Sequence, residues 1–260
     1  MAFTTLSTED RGAVRILCVN RPDKLNALNR QTLAELHMAF DQAAGDDAVR
    51  VVVLRGAGEK AFVAGADIAE LATLTPARAR DLSQFGQRLM TRIERLGKPV
   101  IAMVNGYALG GGLELAMACH LRIAADTAKL GLPEIGLGLL PGFGGTQRLL
   151  RLAGRSAALE LTLGGRPIDA ARAAALGLVT RVVPAAELQD QVLAEATRLS
   201  EAAPQALRAI LDTVLLGGEA GIDTGLEFET QAFGLLFSTD DMREGTEAFL
   251  AKRKPVFKGH

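Results

Sequence analysis

Residues 105–116 read NGYALGGGLELA, in which three consecutive glycines precede a carboxylate, Glu114, within an otherwise apolar run. The preceding segment PVIAMVNG has the apolar, β-branched composition of a buried strand, and the following segment LELAMACH has the composition of a helix. Because glycines permit sharp turns and close backbone approach, we predict a strand–turn–helix corner here. A buried carboxylate costs free energy unless it is paired, hydrogen-bonded or protonated, so Glu114 is a candidate functional residue.

Strand and helix patterns alternate along most of the chain, and this alternation predicts an α/β spiral. A second glycine turn, Gly65–Ala66, precedes Asp67 and Glu70, which have the spacing of a helix capping box. Asn29 is a candidate cap for a helix that ends near Gly45. The short apolar runs that we predict as buried strands are Val14–Val19, Val49–Leu54, Val100–Val104 and Leu121–Ala125.

The pattern becomes wholly helical after Pro184. We therefore predict two regions, a spiral core that carries the site at residues 1–195 and a helical region at residues 196–260. An isolated helical tail cannot bury the large apolar side chains of the second region, so we expect it to dock on the core or on another subunit of a homo-oligomer. These side chains are Phe228, Phe233, Leu236, Phe237 and Phe249.

Composition and charge argue against several classes of protein. The chain carries 29 Lys plus Arg against 30 Asp plus Glu, and only 4% of its 260 residues are aromatic, so it lacks the basic charge and stacking residues of a nucleic-acid-binding protein. No uncharged apolar run reaches the roughly 18 residues that span a membrane. Cys18 and Cys119 lie in apolar stretches and are predicted to be buried free thiols. We expect a cytoplasmic protein without nucleic-acid or membrane partners.

Other common site motifs are missing from the sequence. His37, His120 and His260 are scattered without the spacing of a metal site, so we expect no bound metal and a structural role for His120. The run GLGLLPGFGG has Pro141 where a dinucleotide-binding GxGxxG motif needs its last glycine. Neither a phosphate-binding GxxxxGK[ST] loop nor a GxSxG nucleophile motif is present.

The glycine corners and the acidic residues point to acid–base chemistry. Backbone N–H groups at a helix start are unpaired and partly positive, so Gly65–Ala66 and Gly110–Gly111 are candidate halves of an oxyanion hole. The alternative is that these glycines only make tight turns. A second acid, Glu134, also lies in an apolar run. Because desolvation and mutual repulsion raise the pKa of at least one of two such carboxylates towards neutral pH, the pair would suit acid–base catalysis. The alternative is that one of them pairs with Arg122 or Arg148.

Five segments together strongly resemble the enoyl-CoA hydratase/isomerase family, the crotonases, in the order and at the separations of that family. The segments are RPDKLNAL (21–28), AFVAGADI (61–68), NGYALGGGLELA (105–116), LPEIGLGLLPGFGGTQRL (132–149) and AFLAKRKPVFKGH at the chain end. The resemblance extends over essentially the whole chain. It implies a crotonase-like spiral of ββα units, followed by a C-terminal helical trimerisation region whose trimers commonly pair into hexamers.

The resemblance also implies roles for the candidate residues. The N–H groups of Ala66 and Gly111 match those that hold the thioester carbonyl in the hydratases of the family. Glu114 would orient the attacking water and help to deprotonate it, and Glu134 would donate a proton to Cα. Coenzyme A would be part of the acyl-CoA substrate, and no metal or redox cofactor would be required.

The resemblance further implies where coenzyme A binds, with Lys24 near the phosphates. The residues implied near the adenine are Ala64, Gly65 and Asp67. The residues implied near the ribose phosphate, from an adjacent subunit, are Lys252, Lys254 or Lys258. The alternatives are that Arg21 and Lys24 lie on a solvated loop and that the last lysines belong to a solvated tail.

Two features of the sequence bear on the acyl group. Phe143 stands where many members of the family have a smaller residue, and we expect it either to fill core or to narrow the acyl pocket. Residues 71–96 match the segment that usually lines the acyl tail, although simple helix packing is the alternative for each side chain. The candidate side chains of this segment are Leu74, Leu82, Phe85 and Leu89.

Hydration of a trans-2-enoyl-CoA to the 3-hydroxyacyl-CoA is the leading hypothesis, because both glutamates are present. A double-bond isomerase of the same family is the nearer alternative, since it needs only the acid at Glu134. The glutamate pair disfavours decarboxylation, dehalogenation and retro-aldol cleavage. A non-catalytic acyl-CoA-binding or RNA-binding protein is the alternative from another class, and the near-neutral charge and intact glutamates argue against it.

Overall fold

Two β-sheets organise the protein in the computed structural model, which describes residues 3–260. The strands of the larger sheet are β1 Leu6–Arg11, β2 Val14–Val19, β3 Val51–Gly56, β5 Val100–Val104, β7 Leu121–Ala125 and β10 Arg181–Val183. They lie side by side in that order, and all neighbours are parallel except the antiparallel pair β1 and β2. All four runs predicted as strands are confirmed, although β3 begins at Val51 rather than at Val49.

The smaller sheet has four short strands, β4 Ala61–Val63, β6 Tyr107–Leu109, β8 Lys129–Gly131 and β9 Ile168–Asp169. The first three are parallel to one another, and β9 runs antiparallel to β8. Each of β4, β6 and β8 follows a strand of the larger sheet along the chain. The chain therefore passes repeatedly from the larger sheet to the smaller one.

The helices connect these strands and complete the chain after β10. They are α1 Arg30–Gly45, α2 Ile68–Leu71, α3 Pro76–Glu94, α4 Gly111–Ala118, α5 Gly145–Gly164, α6 Ala170–Ala175, α7 Leu188–Ser200, α8 Pro204–Asp212, α9 Ile222–Leu236 and α10 Asp240–Leu250. Shorter turns lie at Pro22–Lys24, Pro133–Leu137 and Ala185–Glu187, with a π-helical turn at Thr213–Gly217. The Asn29 side chain accepts a hydrogen bond of 2.8 Å from the Thr32 N–H, so the predicted cap of α1 is confirmed.

The capping box predicted at Asp67 and Glu70 is wrong in its contacts, although a helix does begin there. α2 is a single turn with Asp67 at its N-cap position. The Asp67 carboxylate pairs with Arg21 at 2.9 Å, and the Glu70 carboxylate accepts the Arg30 N–H at 2.9 Å. Both partners lie 40 or more residues away in sequence, so tertiary contacts replace the local ones that the spacing predicted.

Successive strand–strand–helix units build the spiral: β3, β4 and α3, then β5, β6 and α4, then β7, β8 and α5. Because β4, β6 and β8 are parallel neighbours, the segments that follow them leave the sheet at one edge. The Gly65–Ala66 turn, the Gly110–Gly111 corner and the Pro133–Leu137 turn therefore lie together. The predicted α/β fold is confirmed, and its repeat gathers into one place residues that are distant in sequence.

The wholly helical region after Pro184 is confirmed. Within it, α7 buries Leu188, Val192 and Ala196 against the larger sheet. The boundary predicted between residues 195 and 196 falls inside this helix, and the division of the chain into two regions stays a prediction. The exposed apolar side chains of α9, α10 and the chain end are Ile222, Leu226, Phe228, Phe233, Leu235, Phe237, Phe249, Leu250 and Val256.

Both cysteines are free thiols, as predicted. Cys119 is fully buried, and burial raises the pKa of its thiol to about 12, whereas Cys18 is only half-buried. Within residues 3–260, no helix is both long enough and apolar enough to cross a membrane.

Glu35 on α1 anchors the start of the chain to the core. Its carboxylate accepts hydrogen bonds of 2.7–3.1 Å from the backbone and hydroxyl groups of Thr4 and Thr5. Burial alone would raise the pKa of Glu35, but these donors outweigh burial and lower it to about 2. The folded protein therefore favours the ionised form of this carboxylate far more than the unfolded chain does.

Glu35→Gln is expected to lower the free energy of unfolding by about 2 kcal/mol at neutral pH, because an amide cannot accept from all of these donors. Since the folded pKa lies below the unfolded value of 4.5, the stabilisation by Glu35 is present above that pH and is lost as the pH falls towards 2. Urea unfolding at neutral pH and at about pH 3 tests this, with Glu59→Gln at an exposed carboxylate as the control. An equal loss at both pH values would contradict the assignment.

Candidate active site

A cavity of about 210 Å³ lies where the segments after β4, β6 and β8 meet. Its wall is predominantly apolar and comes from α2, α3, the Pro133–Leu137 turn and residues 139–143. The polar side chains that line it are Ser83, Glu114 and Glu134. An apolar pocket with a few convergent polar groups is typical of a small-molecule site.

Glu114 lies in the first turn of α4 and is only 1% exposed. One oxygen, Oε1, accepts hydrogen bonds from the backbone N–H groups of Phe143 at 2.7 Å and Gly145 at 2.6 Å. Its partners are therefore backbone groups just before α5 and at its first residue, and the other oxygen accepts no hydrogen bond within residues 3–260. A buried carboxylate held in this way keeps a fixed position while remaining able to accept a proton.

The alternative that one of the glutamates pairs with a nearby arginine is wrong. Arg122 is buried and donates to backbone carbonyls, including that of Leu178 at 2.8 Å. Arg148 makes two hydrogen bonds of 2.7 Å to the Glu94 carboxylate. Both cations are therefore engaged elsewhere in the structure.

Glu134 lies on the Pro133–Leu137 turn and faces the same cavity. Its Oε2 atom is buried and has no hydrogen-bond partner within residues 3–260. Burial raises the pKa of this carboxyl. An orphaned buried oxygen is costly in a folded protein, and it marks Glu134 as a group that awaits a ligand or carries a proton.

Burial and the neighbouring Glu134 both affect the protonation of Glu114. Burial is the main cause that raises the pKa of Glu114 to about 7, and the charge of Glu134 raises it further, while the Gly145 and Phe143 N–H groups act in the opposite direction. The site therefore brings two carboxyl groups with raised pKa values together at one apolar pocket.

Ala66 and Gly111 also line the cavity, and within residues 3–260 neither of their N–H groups donates a hydrogen bond to the protein. Gly111 is the first residue of α4, where helix N–H groups have no intrahelical acceptor. On either side of Ala66, the Leu28 N–H donates to the Gly65 carbonyl and the Asp67 N–H donates to the Leu28 carbonyl, both at 2.8 Å. Two free donors at one pocket suit an oxygen that develops negative charge.

The residues predicted to bind coenzyme A lie in different places. Ala64 and Gly65 line the cavity, whereas the Asp67 carboxylate is occupied by Arg21. The solvated-loop alternative is wrong for Arg21, because its side chain is only 17% exposed and also donates to the Ala27 carbonyl. Lys24 is exposed at the end of the Pro22–Lys24 turn.

The lysines near the chain end do not line the cavity of their own subunit. Lys258 lies beside Arg50 and Lys98 in a separate cleft, and its backbone N–H donates to the Asp241 carboxylate at 2.7 Å. Lys252 is exposed, and Lys254 pairs with Glu201 at 2.9 Å. Their contact with coenzyme A bound to an adjacent subunit stays a prediction.

Phe143 fills core and also lines the cavity, whereas its effect on the acyl group stays a prediction. It is 5% exposed within the hydrophobic core, and its ring also forms part of the cavity wall. The ring lies against Gly86 of α3 so closely that a Cβ atom at Gly86 would overlap it. Leu74 and Leu82 line the cavity as predicted.

Two other residues predicted to line the acyl pocket do not reach it. Leu89 is fully buried in the core, and Phe85 packs on His37 with ring centroids 4.6 Å apart. His120 is structural, as predicted, because its Nδ1 accepts the Val100 N–H at 2.8 Å.

Sequence reasoning missed several residues that line the cavity, above all Ser83. The apolar ones, Leu137, Leu139 and Leu140, stand in a glycine- and proline-rich run, which was the only signal of their exposure. No sequence motif marks Ser83, because its hydroxyl contacts the Gly142 carbonyl, which lies 59 positions away along the chain.

Known proteins are similar to this chain over almost its whole length. The sequence profile described as enoyl-CoA hydratase/isomerase matches residues 9–260. The short-chain-enoyl-CoA hydratase of Clostridium acetobutylicum is 44% identical over 98% of this chain and 97% of its own length. The crotonyl-CoA hydratase of Syntrophomonas wolfei is 45% identical over 99% of both chains.

A solved structure gives the same result for the fold. The crystal structure of an enoyl-CoA hydratase from Bacillus anthracis matches with a TM-score of 0.96 at 40% identity, and the match covers 99% of this chain and 100% of that one. The crotonase-like spiral predicted from the sequence is thereby confirmed. The chain belongs to the enoyl-CoA hydratase/isomerase family.

Proposed function

We propose that the protein is an enoyl-CoA hydratase that adds water in the syn sense to a trans-2-enoyl-CoA and forms the 3-hydroxyacyl-CoA. The observation that carries this proposal is the pair Glu114, which is buried, and Glu134, which is partly buried, both with raised pKa values and both at one apolar cavity. The free N–H groups of Ala66 and Gly111 lie at the same cavity. Relatives at 44–45% identity are named for this activity.

In the proposed reaction, the Glu114 carboxylate accepts a proton from water while the water oxygen bonds to Cβ. The electrons of the double bond move towards the thioester, and the resulting enolate oxygen accepts hydrogen bonds from Ala66 and Gly111. Glu134 then gives its proton to Cα. One water is consumed, and transfer of the proton from Glu114 to Glu134 restores the starting state.

The same scheme accounts for the other requirements of the reaction. Carbon is neither oxidised nor reduced overall when water adds, so we propose no cofactor beyond the coenzyme A of the substrate. We propose that Ala64, Gly65 and Lys24 contact the coenzyme.

The exposed apolar side chains of α9 and α10 fit a homo-oligomer, a trimer or a dimer of trimers, in which Lys252 or Lys258 of one subunit reaches the coenzyme of another. A cytoplasmic location stays a prediction.

A short acyl group fits the site best. The cavity of about 210 Å³ is smaller than the roughly 300 Å³ at which ligand pockets usually begin, and Phe143 occupies part of the space beside α3. Two similar proteins are named for short-chain and crotonyl substrates. We therefore propose crotonyl-CoA as a substrate.

The test compares hydration with isomerisation. Crotonyl-CoA is expected to lose its conjugated enoyl-thioester absorbance rapidly, whereas 3-butenoyl-CoA is expected to gain that absorbance far more slowly. Butyryl-CoA, which has no double bond, is the control for spectral changes that come from binding. Rapid conversion of 3-butenoyl-CoA without hydration would support the isomerase alternative, and binding without any conversion would support a non-catalytic acyl-CoA-binding protein.

A further inference from the structure

The loop at residues 142–145 determines where the Glu114 carboxylate lies. Its Phe143 and Gly145 N–H groups are the donors to Glu114 Oε1, at 2.7 and 2.6 Å. The charged groups that act on Glu114 from the packed elements are Glu134 on the Pro133–Leu137 turn and Arg148 on α5. Neither is a hydrogen-bond partner of Glu114, so within residues 3–260 the loop supplies all of the hydrogen bonds to the carboxylate.

The loop is anchored from α3 by a pair of side chains. Ser83 Oγ donates to the Gly142 carbonyl at 2.6 Å, and Gln87 Nε2 donates to the same carbonyl at 3.1 Å. Gln87 Nε2 also donates to Ser83 Oγ at 3.3 Å. Ser83 and Gln87 are four residues apart and therefore lie on the same face of α3. Together they fix the peptide group that contains both the Gly142 carbonyl and the Phe143 N–H.

The composition of the loop makes this anchor necessary. Three of its four residues are glycine, which has the greatest backbone freedom, and Gly144 has a φ of +102°. The Phe143 ring packs directly on Gly86, so α3 and the loop are in contact between the two anchoring side chains. A small movement of the Gly142 peptide would rotate the N–H groups away from Glu114.

We propose that Ser83 and Gln87 are positioning residues for Glu114, acting through the Gly142 carbonyl and the N–H groups of the loop. This inference rests on the proposed hydratase function for its kinetic consequences. Gln87 does not line the cavity, so its effect on the reaction is separate from any contact with the substrate. Ser83 does line the cavity, and its hydroxyl is directed to Gly142.

The kinetic test uses Ser83→Ala and Gln87→Met, singly and together. The value of kcat for crotonyl-CoA is expected to fall about threefold for each single variant and about tenfold or more for the double variant, with a smaller change in KM. The acid limb of the kcat–pH profile is expected to move to higher pH, because weaker N–H donation favours the ionised carboxylate less. Ser83→Thr, which keeps the hydroxyl, is expected to retain kcat.

The matched control is Ser200→Ala, since the buried Ser200 hydroxyl also donates to a backbone carbonyl, that of Thr197 at 2.8 Å, but lies outside the cavity. It is expected to change neither kcat nor the pH profile. If Ser83→Ala fails to fold, Gln87→Met decides, because Gln87 is exposed. If kcat of these variants falls while the acid limb of the kcat–pH profile stays in place, the inference is overturned. A general structural loss would lower kcat in that way without changing the pKa of Glu114.

A direct measurement separates this inference from the proposed function. Carboxyl ¹³C NMR of the ligand-free protein gives the titration midpoint of Glu114, with Glu114→Gln used to assign its resonance. The midpoint is expected to rise in the double variant, and an unchanged midpoint overturns the inference. A wild-type protein without hydratase activity contradicts the proposed function alone, and the midpoint still decides whether Ser83 and Gln87 position Glu114.

Discussion

Glu114→Gln is expected to lower kcat for crotonyl-CoA hydration by roughly 10³-fold, within the range that a general base supplies. The amide has nearly the size of the carboxylate and keeps an oxygen for the Phe143 and Gly145 N–H groups, so the fold is expected to persist. It cannot accept a proton from water, so the chemical step loses its base. The measurement is the initial rate of loss of enoyl-thioester absorbance at equal concentration of folded protein.

The pH dependence of the same reaction has a defined sign. Burial raises the pKa of Glu114 to about 7, and only the ionised form accepts a proton, so kcat of the wild type is expected to rise as the pH increases through about 7. This limb is expected to disappear in Glu114→Gln. Glu59→Gln, at an exposed carboxylate, is the control and is expected to keep the wild-type profile. Wild-type kcat in Glu114→Gln would contradict the role of base and favour an isomerase that relies on Glu134.

The local features of the fold could be predicted from the sequence because they depend on neighbouring residues. Apolar β-branched runs identified the central strands, and the Asn29 cap identified the start of α1. The glycines at 110–112 predicted the corner before α4. The composition change after Pro184 predicted the helical end of the chain. In each case the deciding interactions lie within a few positions along the chain.

The contacts between segments could not be predicted from periodicity or spacing. The partners of Glu114 are backbone N–H groups about 30 residues away, and a backbone donor leaves no mark in the sequence. The hydrogen bond from Ser83 to Gly142 could not be predicted either, because its acceptor is a backbone carbonyl. Asp67 was predicted as a helix cap because of local spacing, yet Arg21, 46 residues away, takes its carboxylate. The spiral creates these proximities, and residue type alone does not encode them.

Gly110 occupies a backbone conformation that the site requires and that other residues rarely adopt. Its φ of +51° and ψ of −125° turn the chain from β6 into α4 and thereby place the Gly111 N–H at the cavity. A Cβ atom at this position would lie 2.8 Å from Glu134 Oε1 and 3.7 Å from the Gly65 Cα. One methyl group would therefore crowd the carboxylate of the proposed acid, whereas its distance from Gly65 is an ordinary van der Waals contact.

Gly110→Ala is expected to lower kcat/KM for crotonyl-CoA by about 10²–10³-fold, comparable to the loss of one oxyanion-hole donor. The strained backbone is expected to lower the free energy of unfolding by about 1–3 kcal/mol, which leaves the protein folded at moderate temperature. Gly45→Ala at the end of α1 is the matched control, because its Cβ would meet no atom within 4 Å and its φ is not positive. Steady-state kinetics and urea unfolding on both variants separate the two effects. Unchanged kcat/KM in Gly110→Ala would contradict the placement of the oxyanion hole, since the positive φ that directs the Gly111 N–H is strained in alanine and the methyl group crowds the Glu134 carboxylate.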